Sequence, residues 1–173
     1  MKHPVPLLAV PLLAAMTLLS ACGLRPVYGG GGHGTVARAL GNVEVQPIEG
    51  KGGWLVRNAL NDRLSAMNGD GPSYKLIVKL DDQISGFGLR SDAAITRERR
   101  TLRARYQLID SATGAQVLDD TAGSDAGIDV TSSEYATIAA EDTALERLSQ
   151  TIADQIIARL ATFATRDQRD EGQ

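Results

Sequence analysis

Four segments of the chain alternate apolar and polar residues, which is the pattern of a strand with one buried face. They cover residues 43–48, 74–89, 96–110 and 116–130. The second segment alternates most regularly over residues 74–80, and Gly86 and Gly88 indicate a bulge or bend further along it. A short turn at residues 111–114 is of hairpin length, so the last two strands are expected to pair side by side.

Two further segments repeat apolar residues every three or four positions, which predicts amphipathic helices. The first covers residues 54–67 and follows a predicted turn at residues 50–53. The second carries a long apolar stripe made of Ile138, Ala144, Leu145, Leu148, Ile152, Ile156, Leu160 and Phe163. Thr131 and Glu134 form a capping box, which predicts Thr131 as the N-cap, and the polar residues 166–173 are expected to be a frayed tail.

The predicted order of elements is strand, helix, three strands and helix (β-α-β-β-β-α). A four-stranded, mainly antiparallel sheet with both helices on one face buries every apolar stripe, so the sequence predicts an α+β fold, a two-layer sandwich. The sandwich domain is expected to span residues 38–165. The hydrophobic content of 43% and the charged content of 23% are ordinary for a globular domain of this size.

Residues 1–21 have the features of a signal peptide, with the basic residue Lys2, a long apolar run and then small residues. The run ends in Leu19-Ser20-Ala21-Cys22, the pattern at which bacterial lipoprotein precursors are cleaved, so Cys22 is the expected lipid attachment site. A secretory signal with an incidental cysteine is the alternative. Gly23 stands where Asp would favour the inner membrane, so we expect a lipid anchor in the outer membrane, on its periplasmic side.

The residues that could carry chemistry do not favour an enzyme. Cys22 is the chain's single cysteine, and His33, the one histidine that follows the signal peptide, lies in a glycine-rich segment, residues 22–37, that is expected to be a lipidated linker. The serines of the predicted domain therefore have no histidine base. The pair Asp81-Asp82 lacks the further ligands of a metal site. The sequence predicts a non-enzymatic protein with no metal and no cofactor.

Two aromatic residues are placed by their neighbours. Trp54 is expected to be a core residue at the start of the first helix, with an exposed interface position as the alternative. Tyr135 is expected to pack locally at the entry to the last helix.

Three features together resemble the lipopolysaccharide (LPS)-assembly lipoprotein family, LptE. They are the opening motif Cys22-Gly23-Leu24-Arg25-Pro26-Val27-Tyr28, the order of elements, and the helix entry Ser133-Glu134-Tyr135-Ala136 with Ala140-Glu141-Asp142 and Ala144. The resemblance covers essentially the whole mature chain and implies a sandwich of two helices and four strands. It implies a non-enzymatic protein that plugs the LPS-translocon β-barrel of the outer membrane and helps to deliver LPS to the cell surface. It also suggests that Arg25, Pro26 and Tyr28 contact that barrel, with a loosely held linker as the alternative.

An arginine-rich segment is the main candidate site of the predicted domain. Six arginines and two acidic residues lie between residues 90 and 105, whereas residues 110–142 hold eight acidic residues and no basic one. In a chain of net charge −3, this indicates a local anion site and not a general nucleic-acid binder. The candidate contact residues for LPS or for the barrel are Arg97, Arg99, Arg100, Arg103 and Arg105.

The facing of this segment singles out two of the arginines. Leu102, Ala104 and Tyr106 share one strand face, so Arg103 and Arg105 lie on the other. If the third and fourth strands pair, Asp119 and Asp120 are expected to approach one of these two arginines.

Three partners stay open for the arginines: lipid A phosphates, acidic groups lining a barrel lumen, or water. A function of another class also stays open, namely a periplasmic lipoprotein that binds a small or lipidic anionic ligand without a barrel partner.

Overall fold

The computed structural model describes residues 35–67, 73–89 and 95–170 of the chain. The elements of this part are α1 Thr35–Leu40, β1 Val43–Val45, α2 Gly50–Ser65, β2 Tyr74–Leu89, β3 Ile95–Asp110, β4 Gln116–Asp129 and α3 Glu134–Asp170. The predicted order β-α-β-β-β-α is confirmed. It is preceded by α1, which the sequence pattern did not predict, and which places Val36 and Leu40 in the core.

The four strands form one sheet in the order β1-β2-β3-β4. β1 pairs with β2 in parallel over three residues, and the other two pairings are antiparallel, so the prediction of a mainly antiparallel sheet is confirmed. β2 and β3 have 16 residues each, which makes their hairpin roughly 50 Å long. The predicted bulge in β2 is absent from the pairing, which keeps one register to Leu89; instead, Gly88 adopts a left-handed φ of 79°.

One face of the sheet packs against α2 and α3 and forms the core. Leu76, Leu102 and Leu108 are fully buried on this inner face, as their alternation predicts. The stripe of α3 is buried against them, and the Phe163 ring meets the Tyr74 ring edge-on at 6.2 Å between centroids. Each fully buried aliphatic side chain contributes about 1.5–3 kcal/mol. The stripe prediction fails at Ile138, which is 50% exposed.

The first turn of α2 is made of the residues that the sequence analysis assigned to a loop. Residues 50–53 are helical, so the helix begins four residues before Trp54. Gly50 opens it with a φ of 77°, and Gly53 is buried so closely that a Cβ there would lie 2.6 Å from the Ile48 carbonyl oxygen. Glycine-rich sequence here reflects close packing and not a turn.

The start of α3 also differs from its prediction. The helix begins at Glu134, and the Ser133 hydroxyl accepts a hydrogen bond from the Ala136 N–H at 3.4 Å, so Ser133 is the N-cap and Thr131 is not. The Thr131 hydroxyl instead accepts the Ser133 N–H at 3.3 Å. At the other end, the predicted polar tail is helical as far as Asp170.

The expectation that Tyr135 packs locally is wrong, and for Trp54 the structure shows the exposed alternative and not the core position. Trp54 is 63% exposed and Tyr135 is 84% exposed, so neither is a packing residue. Both lie near the N-terminal end of a helix, Trp54 in α2 and Tyr135 in α3. In the described ranges, no helix has the length and apolar character needed to cross a membrane.

Candidate functional site: the cationic outer face of the sheet

The outer face of the sheet, opposite the helices, carries four of the five candidate arginines. The inward facing of Leu102, Ala104 and Tyr106 turns the side chains of the odd-numbered residues of β3 outward. The outer-face arginines are Arg97, Arg99, Arg103 and Arg105, all of them exposed.

Arg100 does not belong to this group. It lies on the inner face of β3, where its guanidinium binds Asp82 of β2 and donates to the Glu141 carbonyl oxygen of α3 at 2.9 Å. Its side chain is only 11% exposed. The structure therefore separates Arg100 from the candidate contact surface and gives it a role in joining the sheet to α3.

Acidic residues of β4 neutralise three of the outer arginines. Antiparallel pairing brings the two strands together, so that Arg97 Nε lies 3.1 Å from Asp129, and Arg99 Nε lies 3.9 Å from Asp125. The Arg99 guanidinium also lies over the Phe87 ring, 5.4 Å from its centroid. Each of these exposed ion pairs contributes at most about 1 kcal/mol to stability. Together they neutralise most of the positive charge that Arg97 and Arg99 bring to their end of β3.

Arg105 forms the best-defined pair of the outer face. Its Nε and Nη2 donate to the two carboxylate oxygens of Asp119 at 3.1 and 2.8 Å, and Gln107 donates to the same carboxylate at 3.0 Å. These bonds lower the pKa of Asp119 to about 2, with the Arg105 hydrogen bond as the largest cause. The prediction that Asp119 approaches this arginine pair is confirmed. The prediction for Asp120 is wrong, because Asp120 binds Arg159 of α3 at 2.6 Å.

Arg103 has no ion pair within the described part of the chain. Its register partner on β2, Asp81, instead accepts two hydrogen bonds from Gln83 at 3.1 Å. On the other side lies Gly123 of β4, where a Cβ would stand 3.2 Å from Arg103 Nη1. The absence of a side chain at Gly123 lets the guanidinium lie flat along the sheet.

Lys79 extends this unpaired cation into a patch. It faces outward on β2 as the register partner of Arg105, and it too makes no ion pair with any residue the structure describes. The residues that line one shallow cavity of about 440 Å³ include Lys79, Asp81, Arg103, Arg105 and Gly123. We call the pair Lys79 and Arg103, with this cavity, the outer-face cation site.

The sequence analysis missed Lys79 as a site residue, although its outward facing was readable from the alternation of residues 74–80. What could not be read was the register that sets Lys79 opposite Arg105.

Cys22, Arg25, Pro26 and Tyr28, together with the signal peptide of residues 1–21, lie outside the described residues. Across residues 35–67, 73–89 and 95–170, no three His, Cys, Asp or Glu side chains are grouped so as to hold a metal ion.

Comparison with known protein families decides what kind of molecule carries this site. The lipopolysaccharide-assembly family, LptE, matches residues 40–160, which is well over half of the chain. The chain belongs to the LptE family. A search of curated proteins finds no match.

Solved lipoprotein structures share the fold. A putative lipoprotein from Caulobacter crescentus is 29% identical, with a TM-score of 0.62, and the match covers 76% of this chain and 98% of that one. The rare lipoprotein B of Shewanella oneidensis is 11% identical (TM-score 0.58; 73% and 97% covered). A minor lipoprotein from Acinetobacter baumannii is 14% identical (TM-score 0.57; 72% and 93% covered). The last two likenesses concern the fold alone. Membership of the LptE family makes this an LPS-assembly lipoprotein of the cell envelope, in a family that is not enzymatic.

Proposed function

We propose that this protein is anchored to the outer membrane through acylated Cys22, facing the periplasm, and is the plug and assembly partner of the β-barrel that exports LPS. In this role it assists delivery of LPS to the cell surface. Membership of the LptE family supports a role in LPS assembly. The observation that carries the site is the outer-face cation site, where Arg103 and Lys79 share a cavity with Asp81 but form no ion pair with a carboxylate of the described residues.

The chemistry of the site suits an anionic partner. A guanidinium donates paired hydrogen bonds to phosphate or carboxylate oxygens, and an ammonium adds a second charge beside it. Arg97, Arg99 and Arg105 already have carboxylates, so they have less to offer a ligand than Arg103 and Lys79. We therefore propose that Arg103 and Lys79, ahead of the paired arginines, bind the lipid A phosphates or acidic side chains of the barrel lumen.

One experiment separates these two partners. A Lys79→Glu, Arg103→Glu variant and a matched Arg97→Glu, Arg99→Glu variant undergo the same change in charge on the same face. LPS binding is measured on the lipidated protein in detergent, and association with the barrel by co-purification from mild detergent extracts. If the first variant alone loses roughly tenfold or more in LPS affinity, the site binds lipid. Unchanged LPS binding with lost barrel association assigns the site to the barrel instead.

The plug role has its own test. Extraction of the wild-type lipoprotein in mild detergent should give a stable complex with a large outer-membrane β-barrel. A monomer under these conditions contradicts the plug role and favours a lipoprotein that binds an anionic ligand in the 440 Å³ cavity without a barrel. Replacing Cys22 by Ala should abolish incorporation of labelled fatty acid, and labelling that persists refutes the anchor.

A further inference from the structure

The two long edges of the sheet are finished in different ways. At the β4 edge, the Gly123 N–H donates to the Gln155 side-chain oxygen at 3.1 Å, and the Gln155 amide nitrogen donates back to the Gly123 carbonyl at 3.3 Å. Arg159 of the same helix binds Asp120 beside it. Unpaired N–H and C=O groups on an edge strand are a template for another strand. By occupying these groups, α3 closes the middle of β4 to strand addition.

The opposite edge is β2, and its partner β1 is very short. β1 pairs only with Tyr74–Leu76, and the last bond of the ladder is from the Gln46 N–H to the Leu76 carbonyl at 3.0 Å. The pairing ends there, and the chain continues through Pro47 to α2, which begins at Gly50. Beyond Leu76, β2 therefore continues for most of its length without β1.

The register tells which backbone groups face this open edge. In an unbroken ladder, alternate residues direct their N–H and C=O to the same side. Leu76 is directed to β1 and the β2–β3 register has no shift, so the even-numbered residues point away from β3. The residues that face the open edge are Val78, Leu80, Asp82, Ile84 and Gly86.

Within the described part of the chain, no other segment packs over the β2 edge at residues 81–88. Residues 81–88 are all exposed, and no hydrogen bond from residues 35–67, 73–89 or 95–170 reaches the backbone of Asp82, Ile84 or Gly86. The edge has no lysine, proline or register shift between Asp81 and Phe87, although these are common protections against strand addition. Ile84 is 43% exposed beside it.

A cavity of about 500 Å³ lies where β1 ends and the open edge begins. Its lining is partly apolar, with Pro47, Ile48 and the acidic residue Glu49 on one side and Ile77, Val78 and Leu80 on the other. Lys79 also lines it, and it has no ion-pair partner among the described residues. The edge thus combines unused backbone hydrogen-bonding groups, a pocket that can take a side chain and a lysine that forms no ion pair with any described residue.

We propose that the β2 edge from Val78 to Gly86 binds an extended segment of another polypeptide as an added fifth strand. Only an extended peptide backbone supplies alternating acceptors and donors at the spacing this edge presents, which a lipid chain or a helix does not. The segment places an apolar side chain in the cavity and an acidic side chain against Lys79. The proposal does not depend on which protein supplies the segment.

The first test uses amide hydrogen exchange by NMR on the full lipidated chain in detergent micelles. The amides of Asp82, Ile84 and Gly86 should exchange at least roughly tenfold faster than those of Asp81, Gln83 and Ser85, which donate to β3. Equal protection of both sets shows that the edge is already closed within the chain and overturns the proposal.

The second test places a photoreactive benzoylphenylalanine at Ser85 of the full-length protein in cells. Wild-type and Ile84→Ala proteins should give the same cross-linked protein adduct. Ile84→Pro removes an outward N–H and sets a ring into the edge while sparing the bonds to β3, so adduct yield should fall roughly tenfold or more. If circular dichroism shows that Ile84→Pro does not fold, Gly86→Pro makes the same change one pair further along.

No adduct at Ser85, or an adduct that survives the proline substitution, overturns the proposal. The identity of the linked protein bears on a separate question. An adduct with a protein other than an outer-membrane β-barrel leaves the edge proposal intact and counts against the barrel as partner.

Discussion

The Arg100 guanidinium binds both carboxylate oxygens of Asp82, through Nε at 2.8 Å and Nη2 at 2.6 Å. Its third nitrogen donates to the Glu141 carbonyl oxygen, so a single side chain connects β2, β3 and α3. Hydrogen bonding to Asp82 is the largest of the causes that raise the pKa of Arg100. This pair holds the N-terminal part of α3 to the end of the sheet that carries Asp82 and Arg100.

Replacing Arg100 by Leu should lower the free energy of unfolding by about 2–4 kcal/mol, because it leaves the Asp82 side chain, which is 29% exposed although its backbone is open, without its cation. Arg97→Leu is the matched control on the same strand: its ion pair with Asp129 is largely exposed, so a loss of less than about 1 kcal/mol is expected. Urea unfolding followed by circular dichroism measures both. Equal losses in the two variants would mean that Arg100 does not join the three elements.

Glu141 should make the domain less stable as pH rises. Burial, followed by the negative charge of Glu98, raises the pKa of Glu141 above its usual 4.5, and a carboxylate oxygen of Glu98 is itself buried without a hydrogen-bond partner. The native state therefore holds a proton on Glu141 that the unfolded state has already lost. This contribution is full below pH 4.5 and is lost as the pH rises through the raised pKa.

Glu141→Gln removes this pH dependence and leaves the carbonyl that Arg100 binds. As the pH is raised from about 4 to about 7, the urea midpoint of the variant should rise relative to that of wild type. Glu146→Gln, an exposed change on the same helix, is the control and should follow wild type. A Glu141→Gln curve parallel to wild type contradicts the assignment.

Asp119 should act in the opposite direction. Its pKa of about 2 lies below the usual 3.8, so the unfolded chain takes up the proton first as the pH falls. The stability it contributes is present above pH 3.8 and is lost as the pH falls through about 2. NMR titration of the Asp119 carboxyl carbon should give a midpoint near 2, and in an Arg105→Gln variant the midpoint should move towards 3.8. No movement would show that Arg105 is not the main cause.

Gly53→Ala should destabilise the domain by about 1–3 kcal/mol, since the new methyl group would overlap the Ile48 carbonyl and force α2 away from it. Gly52→Ala is a control in the same helical turn. Its Cβ would lie 3.4 Å from a Leu145 methyl group, and alanine favours a helix, so little change or a small gain is expected. Thermal unfolding distinguishes the two, and a neutral Gly53→Ala would refute the close contact.

Alternation and helical spacing predicted the sheet, its inner face and the stripe of α3 because burial imposes a period on sequence. The same rule places Arg100 with Leu102 and Ala104 on the inner face. The alternation therefore already separates Arg100 from the other four candidate contact arginines. The short turn, and hence local sequence, predicted that Asp119 approaches Arg103 or Arg105, and the structure selects Arg105.

Other features depend on contacts between distant residues. The register of β2 against β3, which brings Lys79 beside Arg105, is set by the fit of two 16-residue strands and not by any local motif. Glycines at positions 50, 52 and 53 are typical of turns, and only the tertiary approach of Ile48 explains why position 53 of this helical turn is glycine. The cover that α3 gives to the β4 edge rests likewise on a tertiary contact, from Gln155 to Gly123.

The position of α3 after all four strands has a consequence for how the protein folds during synthesis. This helix of 37 residues shares the helical layer of the core with α2 and contributes Leu148, Ile156 and Leu160 to it. β1, which is synthesised before β2, must wait for β2 before it has a parallel partner. The sheet therefore lacks a closed core until α3 has been synthesised, and the nascent chain stays easily unfolded until then.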